Sequence, residues 1–474
     1  MSQLKLIIPL FAALLVVSGA AGAQVALPQV QLPNLPVLPT DPLNRTVDGV
    51  LGQADPRRLS ELRLLRVRGL LRTNRTVLEA DPRGAPIIRN EVVALSPTPA
   101  ALDRARAAGF GIGRTRTLEG LDVTIVVLQA PQGVSTRRAL QRLREADPGG
   151  TYDFNHIYLD SGQSTGVRRL SGEPPLSFPE NIDDSLKAAQ ADGSQYAVRL
   201  DHEAQRLAAA GPAPETIAGP GVRVGLIDGG VQRTHAVFAG VSIHEHGCAG
   251  GGIPSAHGTA VASLLVGRDD VFHGAAPGAE LFAADVYCGL ATGGGLDAVA
   301  EAFAWLSREQ VPVINVSLVG PPNVLLEQIV RVVISRGHIV VAAVGNDGPG
   351  APPLFPAAYP DVVAVTGVDA KQKVLLEAGR GKHIDFAAPG ANMSAAGIES
   401  PFGLVRGTSF AAPIVAGLLA KQLSTIGKEQ AEAAVTSLIA QAADLGAKGV
   451  DKIYGYGLVG NELRPSEKLA AAAR

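Results

Sequence analysis

Three short segments carry side chains that could act together on a reacting carbonyl. Asp228 closes the apolar run Val224-Gly-Leu-Ile and is followed by two glycines. A carboxylate directly after a buried strand lies at the carboxyl edge of a sheet, where α/β active sites assemble. His257 precedes Gly258 and Thr259 and opens an apolar stretch, so its ring projects from a helix start. Ser409 lies in Gly407-Thr-Ser-Phe-Ala-Ala-Pro413. A serine at a helix start sits beside free backbone N–H groups, which favour an oxyanion formed by whatever it attacks. Taken singly, each has a plain reading: a turn aspartate, a surface or core histidine, a capping serine. His244 and His246 lie near His257, but no carboxylate or thiol stands at helical ligand spacing from them, so no metal site is assigned.

These segments need a frame. Short Val/Ile-rich runs at 222–227, 281–286, 313–317, 339–344 and 362–365 read as strands buried on both faces. Helical stretches at 258–265, 296–307, 325–336 and 408–423 alternate with them. The pattern predicts a doubly wound α/β domain with a mostly parallel sheet. Upstream, residues 91–160 give the order β-α-β-β-α-β of a small ferredoxin-like α+β unit, without a clustered nucleophile or ligand set. Residues 161–194 are rich in Gly, Ser and Pro and read as a linker.

The N-terminus carries Lys5, an apolar run from Leu6 to Val17, and Ala21-Gly22-Ala23, the layout of a secretory signal cleaved near Gln24. The competing reading is an uncleaved anchor, for which the run is short. Residues 24–90 read as a spacer, first Pro-punctuated and then Arg-rich, with Leu59, Leu62, Leu65 and Leu70 at helical spacing. Its arginines are expected on a solvated helix face, since Glu61, Glu79 and Asp81 interrupt them. The full chain of 474 residues has a net charge of −2, which argues against nucleic acid or an anionic membrane as partner. At 46% hydrophobic residues it can fill a large core. Cys248 and Cys288, an even pair in an exported chain, are expected to form a disulfide.

In order and local sequence, the segments at Asp228, His257 and Ser409 resemble the motifs of the subtilisin-like serine peptidases. Ala342-Ala-Val-Gly-Asn346-Asp-Gly lies between the His and Ser segments and resembles the family's oxyanion-hole segment. Val313-Ile-Asn-Val-Ser317-Leu, Phe355-Pro-Ala-Ala-Tyr-Pro360, Phe386-Ala-Ala-Pro-Gly390 and Tyr454-Gly-Tyr-Gly-Leu-Val459 add to the likeness, which spans roughly 195–466. The resemblance implies a secreted serine endopeptidase made as a zymogen, with protein or peptide substrates. Ser409 would be nucleophile, His257 general base, Asp228 its orienting partner and Asn346 an oxyanion donor. The 91–160 unit would be the chain's own propeptide, an inhibitor and folding helper. No organic cofactor is implied; structural calcium is common in the family, but no acidic loop here is assigned to it. Ser317, Leu318, Val319 and Leu354 would line the substrate site, and Val319 and Leu354 predict a shallow primary pocket suited to small or medium apolar side chains. Gly229 replaces the usual Ser/Thr after the aspartate, which predicts a looser Asp228. The rival reading is a catalytically weak or inactive subtilisin-fold scaffold of the cell envelope.

Overall fold

The computed structural model describes residues 56–161, 163–164, 221–248, 251–270, 272–398 and 401–465. The expected signal segment, the Pro-punctuated stretch and most of the expected linker lie outside these residues. Among the described residues, no helix is long and apolar enough to cross a membrane.

The described residues start with helix α1 (Pro56–Thr73) and the short strand β1 (Leu78–Ala80). There follow β2 (Pro86–Leu95), α2 (Pro99–Ala107), β3 (Gly111–Leu118), β4 (Val123–Gln129), α3 (Thr136–Ala146) and β5 (Thr151–Asp160). The four long strands form an antiparallel sheet in the order β5-β2-β4-β3, the split β-α-β arrangement expected for residues 91–160. Thr98 caps α2 by accepting from the Ala101 N–H, with Pro99 in the first turn where its missing N–H matters least.

One boundary differs from the sequence reading. Residues 56–90, expected in a spacer, carry α1, β1 and the first half of β2, and β1 pairs with β2. Asn90 takes a left-handed φ of 63° and the register of β2 on β5 shifts between Ile87 and Val92. That kink breaks the period-2 alternation by which a strand is read, so only its second half was legible.

The second sheet is built from β6 (Arg223–Asp228), β7 (Ile243–His246), β8 (Glu280–Asp285), β10 (Val313–Val316), β12 (Ile339–Ala343), β13 (Val363–Val368) and β14 (Phe386–Pro389). Two short edges, β9 (Gly294–Gly295) and β11 (Leu318–Val319), lie outside it. Its seven strands run parallel in the order β14-β13-β12-β10-β6-β8-β7. From β6 the chain goes first to the edge strand β7, returns to β8 beside β6, and then continues on the other side of β6 from β10. The end of β6 is therefore the switch point at which such sheets open a crevice.

Helices α4 (Ala256–Val266) and α7 (Thr408–Ala420) cover one face of this sheet. Helices α5 (Leu296–Arg308) and α6 (Val324–Ser335) cover the other. The core around α5 and α6 continues into Val93, Leu118, Ile125, Val127 and Tyr158 of the antiparallel sheet. That sheet buries its other face under α2 and α3, through Ala105, Leu140 and Leu143. Both faces of β6 are covered, and Val224, Leu226 and Ile227 are fully buried, which accounts for an unbroken apolar run instead of alternation.

Candidate active site

Asp228 ends β6 at the switch point and is fully buried. Ser255 caps α4 by accepting from the Gly258 N–H, which sets His257 in the first turn facing the end of β6. The Nδ1 atom of His257 lies 2.9 Å from both Oδ1 and Oδ2 of Asp228. Asp228 Oδ1 also accepts from the Gly229 N–H at 2.6 Å. The carboxylate is thus held on three contacts, and the expected loosening at Gly229 is not found. A Cβ at 229 would come within 2.3 Å of the Ser255 hydroxyl, so the cap that positions His257 leaves room only for glycine there.

Ser409 is the second residue of α7, entered through Gly407 at a φ of 140° that a side chain would strain. Its Oγ makes a close contact with the Ser161 hydroxyl and lies 3.4 Å from the Ser317 carbonyl. The Nε2 of His257 is buried without a hydrogen-bond partner, so the Asp228–His257 pair is assembled while the hydroxyl is turned away. Such contacts are often long before the reactive complex forms. The His257 ring stands 5.3 Å from the Phe410 ring, centroid to centroid. Asn346 accepts from the Thr408 N–H through Oδ1, leaving Nδ2 buried and unpartnered beside the start of α7. Two buried nitrogens without partners therefore flank one serine. Both are free to hydrogen-bond a group seated there, and a buried polar atom is costly to leave unpaired.

Burial works against a charged His257. The Asp228 carboxylate at Nδ1, with Asp160 further off, outweighs it and holds the pKa above the ordinary imidazole value. Burial raises the Asp228 pKa, and His257 opposes that rise.

The cleft beside Ser409 is filled by β5. Its residues Asp160 and Leu159 pair antiparallel with Leu318 and Val319, and Tyr158 and Ile157 pair with Gly294 and Gly295. Continuing that register puts Ser161 opposite Ser317. Tyr158 is fully buried, with its ring where a Cβ on Gly320 would stand, 2.4 Å from Cδ1, and its hydroxyl 3.4 Å from the Pro321 carbonyl. Of the expected substrate-site residues, Leu318 and Val319 pair with β5 through their main chain. The Ser317 hydroxyl faces away and donates to the Ser409 carbonyl at 3.0 Å. Leu354 and Val319 cover the Gly345 backbone, at 2.5 and 3.5 Å from the place of a Cβ there.

Two arginines of α1 also reach this cleft. Arg63 pairs with Asp347 at 2.8 Å and Arg66 with Asp160 at 2.7 Å. Arg66 keeps to the solvated face expected for these arginines, with its side chain 48% exposed, whereas Arg63 at 22% is drawn partly off it.

A family model described as the subtilase family matches residues 219–457, about half of the chain. The chain belongs to the subtilase family. This subtilase is 34% identical over 215 residues to Subtilisin Savinase of Lederbergia lenta, covering 43% of this chain and 77% of that one. It is 26% identical over 362 residues to the Minor extracellular protease Epr of Bacillus subtilis (strain 168), covering 70% of this chain. The chain spans about half of Epr's length (54%). Among solved structures, fervidolysin from Fervidobacterium pennivorans, a keratinolytic enzyme related to subtilisin, aligns with a TM-score of 0.58 at 20% identity, covering 80% of this chain and 61% of that one. This last likeness concerns the fold.

Cys248 and Cys288 of this subtilase are joined, with Cα atoms 5.4 Å apart and 40 residues of separation. The closed loop contains His257. Among the described residues the one grouping of three metal-ligand side chains is Cys248, Asp285 and Cys288, whose sulfurs bond each other. In the chain-entropy account a loop of this length is worth about 4 kcal/mol. The Cys248→Ser/Cys288→Ser chain should therefore lose about that much unfolding free energy in urea. A loss below about 1 kcal/mol would reject a structural role for the pair.

Proposed function

We propose that this chain is an exported serine endopeptidase made as a zymogen, and that residues 56–161 are its inhibitory propeptide. Asp228, His257 and Ser409 form the triad, and Asn346 with the Ser409 N–H forms the oxyanion hole. The observation that carries the reading is the seating of β5. An extended strand of the chain's own sequence lies between two backbone edges, as a substrate would, and delivers Ser161 to the hydroxyl of Ser409.

In the reaction, Ser409 Oγ turns from its present contacts to His257 Nε2, which takes its proton. The oxygen bonds the Ser161 carbonyl carbon, and the charge on the carbonyl oxygen is met by Asn346 Nδ2 and the Ser409 N–H. His257 then gives its proton to the Gly162 nitrogen as the Ser161–Gly162 bond breaks. Water resolves the acyl-enzyme by the same steps. Asp228 keeps the imidazole in the tautomer with Nε2 free and stabilises it when charged. Serine before the cut suits a pocket closed by Val319 and Leu354, and the Tyr158 pocket adds an aromatic preference three residues upstream.

The test is to compare fragment masses of the purified chain with those of its Ser409→Ala variant. The expected large fragment begins at Gly162 and digests casein. A cut after a large aromatic residue would refute the shallow pocket, and an uncut, inert wild-type chain would leave a binding scaffold in its place.

The cut should also depend on pH in a defined direction. His257 must be neutral to accept a proton, and its folded pKa is raised above 6.5. Cutting should therefore be lost as pH falls through a value above 6.5, with the acid limb shifted upward. Asp160 contributes to the rise, so Asp160→Asn should move that limb down; in a series of buffers, an unmoved limb would count against it.

A further inference from the structure

Strand β8 ends at Asp285, and the turn after it carries Tyr287 to the edge of the cleft. Asp285 Oδ1 accepts from the N–H groups of Tyr287 and Cys288, each at 2.9 Å, and the Tyr287 carbonyl accepts from the Leu290 N–H at 2.8 Å. The backbone of this turn is therefore fixed, and the disulfide at Cys288 adds to its fixing. The Tyr287 ring lies against Gly229, the residue after Asp228, with Cδ2 3.4 Å from the place of a Cβ there. Its hydroxyl is buried and, among the described residues, has no hydrogen-bond partner. Burial, then Asp228 and Asp160, raises its pKa well above the ordinary phenol value, so it stays an O–H donor. Asp228 does not need that donor, being already engaged by His257 Nδ1 and the Gly229 N–H. Asp160, the residue before Ser161, has Arg66 on its Oδ1 at 2.7 Å. Since β9 pairs Gly294 with Tyr158 and Gly295 with Ile157, continuing that register brings Thr292 opposite Asp160, and the turn of Tyr287 runs beside it.

From this arrangement we propose that Tyr287 is a specificity-determining residue: its hydroxyl selects substrates with an acceptor oxygen on Cγ, aspartate or asparagine, at the second residue before the cut. This rests on the peptidase reading above. A separate substrate brings no Arg66, so its acceptor at that place is left with the Tyr287 hydroxyl as the donor fixed beside it. A phenol O–H rotates about its C–O bond to suit the acceptor, and the side chain has only two torsions to hold still. Leucine has nearly the shape of asparagine but would leave the hydroxyl buried and unpaired. A site built around a hydrogen bond rejects the analogue that lacks it, because its own polar group is then stranded.

Peptides spanning Tyr158–Gly162 test this, one with Asp160 kept, one with Asp160→Asn and one with Asp160→Leu. Each is given to the purified full-length chain, once its casein hydrolysis is steady, and to the Tyr287→Phe chain treated alike. The readout is the ratio of kcat/KM between peptides, so a general loss of rate in the variant cancels. In the wild type, the aspartate and asparagine peptides should be favoured over the leucine peptide by about ten-fold, the scale of one hydrogen bond. In Tyr287→Phe both ratios should fall to about one. The asparagine peptide separates acceptor from charge, because an attraction to His257 would favour aspartate alone. Unchanged ratios in Tyr287→Phe overturn the proposal, as does a preference confined to aspartate. A second measurement needs no cutting. In the Ser409→Ala background, Tyr287→Phe should leave the melting temperature unchanged, since an unpaired hydroxyl supports no contact. A clear fall would mean that the hydroxyl already has a partner, and would also overturn the proposal. Failure of the wild-type chain to cut any of the three peptides would instead refute the peptidase reading, and the assignment of Tyr287 with it.

Discussion

The Ser409→Ala chain should stay whole, with no Gly162 fragment, and casein hydrolysis should fall by about 10⁶ in kcat, the scale measured when a subtilisin loses its nucleophile. The serine hydroxyl touches only the Ser161 hydroxyl and, at longer range, the Ser317 carbonyl. Its removal therefore breaks no cap and no core contact. Helix α7 keeps its entry at Gly407, and Ser317 still donates to the backbone carbonyl of residue 409. The loss would be chemical, and an unchanged melting temperature beside it separates the two. Cutting between Ser161 and Gly162 by this variant, in the absence of other proteases, would remove Ser409 from the mechanism.

Asn346→Leu should cost about 10² to 10³ in kcat with KM changed little. The side chain divides its work between two atoms. Oδ1 accepts from the Thr408 N–H at 3.1 Å, which fixes the amide and orients Nδ2. Nδ2 is buried and has no partner. A donor prepared in this way gains its acceptor only when the carbonyl oxygen becomes an anion, so its loss raises the barrier more than it weakens substrate binding. The measurement is a steady-state comparison on a peptide carrying the Tyr158–Gly162 sequence. A fall in kcat under ten-fold, or one confined to KM, would assign the oxyanion to other groups.

Much of the site could be read from local sequence, because its parts are local signals. Asp228 follows a strand buried on both faces, and His257 and Ser409 open helices whose starts are marked by Ser255 and Gly407. Those boundaries agree with the structure within a few residues. Three things could not be read in the same way. Gly229 is set by Ser255, which stands 26 positions later and meets it only when β6 and α4 come together. Arg63 finds its carboxylate at Asp347, far along the chain and beyond the whole antiparallel unit, while its neighbours in sequence suggest only a basic helix. Ser161 lies where composition changes to Gly and Ser, so it reads as the start of a linker. Its place is decided by the pairing of β5 with Leu318 and Val319. In each case the partner is distant in the chain, and no periodicity or propensity encodes it.

The way β5 is held has a consequence for what the peptidase could attack. Both edges of the strand are taken up by main chain, and the approach at Gly293 is so close that a Cβ there would come within 2.6 Å of the Tyr158 carbonyl. A target must then present at least five consecutive residues with every edge amide and carbonyl free of its own secondary structure. Helices and interior strands of a folded protein do not offer that. If the chain cuts as proposed, what decides whether a given protein is digested would be less its sequence than the free energy needed to open a stretch of it locally. Exposed loop tips and chain ends, where that free energy is near zero, would be cut first. A well-packed neighbour carrying the same five residues inside a sheet would survive beside them.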